Sequence, residues 1–371
     1  MADTQVAIVG SGLAGLNAAR LLHRSGVGFL LLEARDRPGG RILTVDEAGR
    51  LADDGFDLGP SWFWPEMQSA IGELVAELAL PAFAQHAEGD AIFERASREA
   101  PHRFSGFQQE PQSMRLVGGS AALVRALIKD LPADRLHFRA RVTRMRLMER
   151  CVELAVDHAE GRHGIVRAEH VIVTLPPRLL EATVRFEPAQ EPQTLRRWRE
   201  TPTWMAPHAK VFAIYDRPFW RHAGFSGTAQ SLVGPMAEIH DATTASGRAA
   251  LFGFVGISPQ QRASLDEAAI VTACVEQFAR IFGQDAANPH ATLYKDWASD
   301  PSTATPLDWI SAGHPHGGTE NWISGPWQTR LILAGSETSV VYAGYLAGAI
   351  HASRLAAARL TSRWSAHPNA P

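Results

Sequence analysis

The stretch "VAIVGSGLAGLNAARLLHRSGVGFLLLEARDRPGGR", residues 6–41, decides the fold. Gln5 to Val9 read as a buried strand that runs into Gly10. Gly10, Gly12 and Gly15 form G-x-G-x-x-G, and Ala14, Leu16, Ala18, Ala19 and Leu22 supply the apolar face of a helix. Val27 to Leu32 form a second buried strand, closed by Glu33. Each glycine has a mechanical reason. Gly10 permits the tight turn, Gly12 lets the backbone approach a pyrophosphate, and Gly15 lets helix and strand pack closely. The helix N-terminus at Leu13 and Ala14 offers unpaired N–H groups and the positive end of its dipole to phosphates. Glu33 lies 23 residues after Gly10, where a carboxylate accepts from ribose hydroxyls. Strand, glycine turn, helix and acid together predict a dinucleotide on a Rossmann-like sheet. Ala34 and Arg35 follow the acid. Gly39, Gly40 and Arg41 then place a second glycine pair and an arginine where they can wrap the same pyrophosphate from its other side.

The next block, "DDGFDLGPSW" (Asp53 to Trp62), completes a pattern that resembles the flavin-dependent amine oxidase family. Further blocks resemble it in the family's order: "MRLVGGSAALVRAL" (Met114 to Leu127), "LHFRARVTRMRLM" with Val142, and "VIVTLPPRLLEATVRFEPA" (Val171 to Ala189). "HAKVFAIYDRPFW" with Lys210 and "RLILAGSETSVVYAGYLAGAIHAS" (Arg330 to Ser353) follow. The resemblance implies an α/β fold, a Rossmann-like FAD-binding domain interleaved with an α+β substrate domain, as in monoamine oxidases. The FAD domain would take 1–60, 113–183 and 326–371, and the substrate domain 61–112 and 184–325. "AKVFAIY" and "RAALFGFVGI" read as strands of the second domain, covered by a helix over "DEAAIVTACVEQFARIFG" that Asp266 starts and Gly283 ends.

The resemblance also implies roles. Lys210 sits on a strand with apolar residues on both faces, so it reads as an interior lysine. Such a lysine is costly unless its ammonium finds partners or goes neutral. In the family it reaches the flavin N5 through a water. Tyr345 matches one wall of an aromatic cage facing the flavin. Counting along "WASDPSTATPLDWISAGHPHGG" after Trp297 puts Leu307 at the second wall, with Trp309 two residues on. Trp62 and Trp64 follow the turn Gly59, Pro60, Ser61 and join the substrate pocket. Gly59, Pro60, Ser61, Val142, Trp297, Gly335, Glu337 and Tyr345 extend the cofactor site. Pro60 stands where a glycine is expected. Some family members attach FAD through a cysteine in the Trp297 loop; none is present, so non-covalent FAD is expected.

Composition sets the outer bounds. The chain has 371 residues, 45% hydrophobic, with a net charge of −3, which advertises neither nucleic acid nor an anionic membrane. Cys151 and Cys274 are the only cysteines, too few for a disulfide framework or a zinc cluster. His314 and His316 lack nearby acids or cysteines, so no metal is expected. The first strand starts close to Met1, no apolar run spans a bilayer, and the tail "SRWSAHPNAP" is polar, so a cytoplasmic protein is expected. The family layout is compatible with a homodimer.

The expected chemistry is oxidation of a hydrophobic or aromatic amine, with hydride passing to flavin N5, O2 as acceptor and H2O2 as product. Three rivals stay open: a desaturase or porphyrinogen-type oxidase, an L-amino-acid oxidase, and a flavin-binding protein without turnover. An amino-acid oxidase needs a basic clamp for the substrate carboxylate. "PSWFWPEMQSAIG" carries none and brings Glu66, which would repel that carboxylate. Arg178 and Arg221 are the arginines that could turn inward instead.

Overall fold

The computed structural model describes residues 2–96, 99–106, 110–310, 313–318 and 321–365. Residues 366–371, most of the polar tail, lie outside the described residues. Among the described residues no helix is long and apolar enough to cross a membrane.

Two large sheets carry the architecture. The first is built on parallel strands in the order Leu331–Leu333, His163–Val173, Thr4–Val9, Phe29–Leu32 and Leu136–His137. Such strands are apolar on both faces because both faces are covered. On one side Leu16, Ala19 and Leu22 of helix Leu13–Arg24 share a core with Ile350 and Leu360 of helix Leu346–Ser365. On the other, Val9 and Val171 pack against Val142, Leu154, Trp198 and Trp327. The His163–Val173 strand belongs to two pairings. Its first half runs antiparallel to Val152–His158, and its second half runs parallel to Thr4–Val9.

The second sheet has the order Ala291–Asp296, Ala209–Tyr215, Ala249–Val255, Met236–Asp241, Phe225–Ser231, Asp90–Glu94, His102–Phe104. Ala209–Tyr215 is flanked on both edges, as an interior lysine strand requires. Period-2 alternation sends Val211 and Ala213 towards helix Glu267–Phe282, where Ile270, Cys274 and Phe278 meet them. It sends Phe212 and Ile214 towards Phe56 and Leu58 on the nucleotide side.

Three local features differ from the sequence expectation. Asp266 precedes helix Glu267–Phe282 but makes no side-chain cap hydrogen bond, while Gly283, at φ 98°, does end it. Strand Arg185–Glu187 pairs with Ala140–Leu147 of the first sheet rather than joining the second. Phe186 draws it there, packed against Trp198 and Trp327 at ring separations of 5.5 and 5.2 Å. Helix Ser69–Glu77 likewise buries Ile71 and Leu74 against the first and last helices.

Candidate active site

A cavity of about 680 Å³ opens between the two sheets. One end is main chain. Gly10 has φ +101° and turns the first strand into the helix. A Cβ on Gly15 would stand 1.9 Å from the Gly10 carbonyl, so this glycine serves helix–strand packing and does not line the cavity. Gly12 differs. Its φ is −66°, which any residue adopts, and a Cβ there would meet nothing within 4 Å. The space beside it belongs to the cavity, so its bareness serves a ligand. Gly40, at φ +58°, closes against Gly12, and the Gly39 N–H donates to the Ser11 carbonyl at 2.8 Å. The two glycine turns interlock around one space at a helix N-terminus, the arrangement a pyrophosphate needs.

Glu33 is oriented by donors of the chain itself. One oxygen accepts from the Ser11 N–H at 2.7 Å and the Ser11 hydroxyl at 2.8 Å; the other accepts from the Arg35 N–H at 2.8 Å. Lone pairs remain for ribose hydroxyls. Arg35 pairs with Asp300 at 2.9 Å and donates to Thr303 at 2.8 Å. Arg41 pairs with Glu337 at 2.7 Å and donates to Ser336 and to the Trp204 carbonyl. Glu337 is fully buried behind Arg41, so it supports the wall without lining it. Ala34, Val142 and Gly335 are also outside the wall. Gly335 is a packing glycine, its Cβ position 2.9 Å from the Leu175 carbonyl. The residues present fit a dinucleotide.

The other end is side chain. Lys210 is 3% exposed and its Nζ donates to the carbonyls of Gly59 at 2.6 Å and Asp57 at 3.2 Å, and to the Ser61 hydroxyl at 2.9 Å. The turn Gly59, Pro60, Ser61 therefore sits on the lysine. Phe252 and Phe254 also face the ammonium, at 4.7 and 5.2 Å. Burial pushes the ammonium down to about 7, although the buried Asp57 carboxylate opposes this. Asp57 is itself raised by burial, against hydrogen bonds from Thr44 and Ser120.

Tyr345 has more ring neighbours than the count along the chain suggested. His314 lies 4.7 Å away, Trp64 6.2 Å and Trp204 6.5 Å, and His314 packs on Trp204 at 4.5 Å. Trp64, Trp204 and Tyr345 line the cavity. Leu307 and Trp309 do not, which corrects the cage position counted onto Leu307. Their turn, Pro306–Trp309, folds back on its own loop: Asp308 binds Thr305 and Arg178, and the Trp309 indole donates to the Ala298 carbonyl. Trp297 lines the cavity and donates to the Leu58 carbonyl. Trp62 rests on Phe252, Phe254 and His240 of the second sheet. Glu66 is exposed and lines a second cavity of about 1150 Å³ instead, so it does not share the wall that carries Lys210. Among the described residues no group of three His, Cys, Asp or Glu is placed to hold a metal.

Trp204, His208 and Glu238 went unnoticed in the sequence, and His314 was weighed there only as a metal ligand. His208 lines the cavity two residues before Lys210, and burial, with Arg262 and Lys210 nearby, lowers its pKa. Only this i, i+2 relation to Lys210 was readable in advance.

Comparison with known proteins settles the family. The model for flavin containing amine oxidoreductases matches residues 95–361, and that for NAD(P)-binding Rossmann-like domains matches residues 8–78. The chain belongs to the flavin containing amine oxidoreductase family. This amine oxidoreductase is 23% identical to the "Probable flavin-containing monoamine oxidase A" of Dictyostelium discoideum, over 92% of this chain and 94% of the other. It is 25% identical to the AofH protein of Mycobacterium tuberculosis, over 96% of both. Among solved structures, cyclohexylamine oxidase from Brevibacterium oxydans superposes with TM-score 0.81 at 20% identity, covering 98% of this chain and 100% of that one. Putrescine oxidase bound to putrescine gives 0.79 at 20% identity, covering 97% and 99%. Like its family, this amine oxidoreductase is a flavin-dependent enzyme.

Proposed function

We propose that this chain is an oxidase of apolar or aromatic amines that holds FAD without a covalent bond. One observation carries the reading: a single cavity joins the bare glycine turn and Glu33 to Lys210 and the Tyr345 ring cluster. FAD held by Gly12, Gly40 and Glu33 would supply the hydride acceptor for oxidation of the amine α-carbon and the route by which the electrons reach O2.

The chain's own residues bind, orient and exclude water. Gly12 and Gly40 give the pyrophosphate room, and Glu33 receives the ribose. Lys210 fixes the turn Gly59–Ser61 and keeps a proton donor at the cavity wall. Tyr345 and Trp204 offer ring faces that align the amine nitrogen. Neither cysteine lines the cavity, which supports non-covalent binding. The domain division at 1–60, 113–183 and 326–371 against 61–112 and 184–325 goes with this proposal, apart from Arg185–Glu187 and Ser69–Glu77.

The arginines favour an amine over an amino acid. Each arginine lining the cavity already faces a carboxylate: Arg35 with Asp300, Arg41 with Glu337, Arg262 with Asp296. The two arginines considered as inward clamps are held likewise, Arg178 by Asp308 at 2.6 Å and Arg221 by Asp241 at 2.7 Å. Taking one for a substrate carboxylate would strand a partly or fully buried acid. The test is anaerobic flavin bleaching by phenylethylamine against phenylalanine, with acid precipitation to release the FAD. Higher kcat/KM values for the amino acids would overturn the amine reading. Yellow colour kept in the pellet would overturn non-covalent binding.

A further inference from the structure

Three charged side chains are buried together behind the cavity wall. Lys210 is 3% exposed, Asp57 2% and Arg115 5%. They arrive on separate strands: Lys210 on Ala209–Tyr215, Asp57 on Phe56–Asp57 and Arg115 on Met114–Leu116. Lys210 donates to the Asp57 carbonyl at 3.2 Å, so the residue that carries the carboxylate touches the ammonium. The carboxylate is itself held. Its Oδ1 accepts from the Thr44 hydroxyl at 2.6 Å and from the Ser120 N–H and hydroxyl, both at 2.9 Å. Three donors on one oxygen favour the ionised acid. Arg115 donates from its terminal nitrogens to the Thr243 and Ala242 carbonyls, and its Nε finds no partner among the described residues. Neither Asp57 nor Arg115 lines the cavity.

Hydrogen bonding does not choose the protonation state of Lys210. Its Nζ meets the carbonyls of Asp57 and Gly59 and the Ser61 hydroxyl. That hydroxyl can accept from an ammonium or donate to the lone pair of a neutral amine. The surrounding charges therefore decide. Burial drives the proton off, and Arg115, a second cation, pushes the same way. Lys295 is directly opposite Lys210 on the neighbouring strand, but its ammonium is paired with Asp300 at 3.2 Å. His208, two residues back on the same face, is pushed towards its neutral form, and Arg262 beside it is paired with Asp296 at 2.7 Å. Phe252 and Phe254 cover the remaining side. Asp57 is the anion that opposes them.

We propose, on the reading above that Lys210 keeps a proton donor at the cavity wall, that Asp57 is the positioning residue for that proton. Its carboxylate holds the Lys210 ammonium charged against burial and Arg115. Asp57 touches neither substrate nor cofactor and acts through Lys210 alone.

The chain has three lysines, Lys129, Lys210 and Lys295, so isotope-labelled lysine gives three side-chain NMR signals, and Lys210→Met identifies the one that matters. The test follows that signal against pH in the FAD-loaded wild type and in Asp57→Asn. Asparagine keeps an acceptor oxygen for Thr44 and Ser120 and removes only the charge. It is expected to lower the proton affinity of Lys210 about tenfold, a midpoint shift of about one pH unit downwards. A midpoint that stays in place overturns the proposal. Wild type alone gives a second check: the Lys210 signal is expected to show a smaller inflection at acid pH, where Asp57 takes its own proton. Its absence overturns the proposal even if Asp57→Asn does not fold. In stopped flow, reoxidation of the flavin is expected to fall as pH rises through the Lys210 midpoint, and this limb should move to lower pH in Asp57→Asn. If the NMR midpoint moves but reoxidation has no such limb, the role of Asp57 stands and the reading of Lys210 as the proton donor falls.

Discussion

At the nucleotide end of the cavity the wall is main chain: Gly10, Gly12 and Gly40, with one carboxylate held by backbone and hydroxyl donors. At the substrate end it is side chain: Lys210, Trp64, Trp204, Phe254 and Tyr345, brought from five separate segments. The first end recognises by leaving atoms out, the second by putting them in. An added methyl group is thus costly at the first end, and a removed one is tolerable at the second. Within the first end, Gly15 and Gly12 separate the needs of the fold from the needs of the ligand.

The largest expected effect lies in that pair. Gly15→Val drives its side chain into the Gly10 carbonyl and is expected to destabilise the fold by about 3 kcal/mol or abolish soluble protein. Gly12→Ala adds a Cβ that meets no protein atom within 4 Å, so the urea midpoint stays near wild type while FAD content falls. Equal effects on stability from both would erase the distinction.

Next comes Lys210→Met, which is expected to keep FAD but slow a flavin half-reaction, most of all reoxidation, by about 10²-fold. Stopped-flow traces that match wild type in both half-reactions would make Lys210 structural. The same variant changes stability against pH. Lys210 is depressed from 10.5 to about 7 in the fold, so between these pH values the unfolded chain holds a proton that the folded chain lacks. Stability then rises with pH through that window, by at most about 1.4 kcal/mol per pH unit from this group. The rise is expected to flatten in Lys210→Met, read by urea unfolding of the flavin-free protein from pH 7 to 10.

Tyr345→Leu has the smallest expected effect. Losing one ring face of a multi-ring cluster should lower kcat/KM for amines by about fivefold, with FAD content unchanged. A fall beyond a hundredfold would show that the end built of side chains tolerates loss no better than the glycine end tolerates addition.

The same contrast explains what the sequence revealed. The glycine motif, Glu33 and the second glycine pair are contiguous, and their spacing encodes their geometry, so the first end was legible residue by residue. Lys210 was legible because a lysine inside an apolar strand is anomalous on its own. Trp204 and Glu238 were not, because each acquires meaning only through pairing with a distant segment: Glu238 through Phe254, Trp204 through its ring contacts with Tyr345 and His314. Leu307 failed for the related reason that counting along a loop ignores how the loop folds, and Asp308 turns that loop back on itself. Arg185–Glu187 went astray because one buried phenylalanine outweighed its neighbours in the chain.

The His163–Val173 strand has a consequence for how the chain is made. Thr4–Val9 reaches its full pairing only when residues 168–173 arrive, and the neighbouring edge of that strand is closed last by Leu331–Leu333. At ordinary synthesis rates the apolar first strand waits on the order of 10 to 30 s, with Phe29–Leu32 as its only sheet partner. The segment that will shape the cofactor turn is therefore the one longest exposed to mispairing during translation, and ribosome-bound chains stalled before residue 168 should be the ones that chaperones hold most firmly.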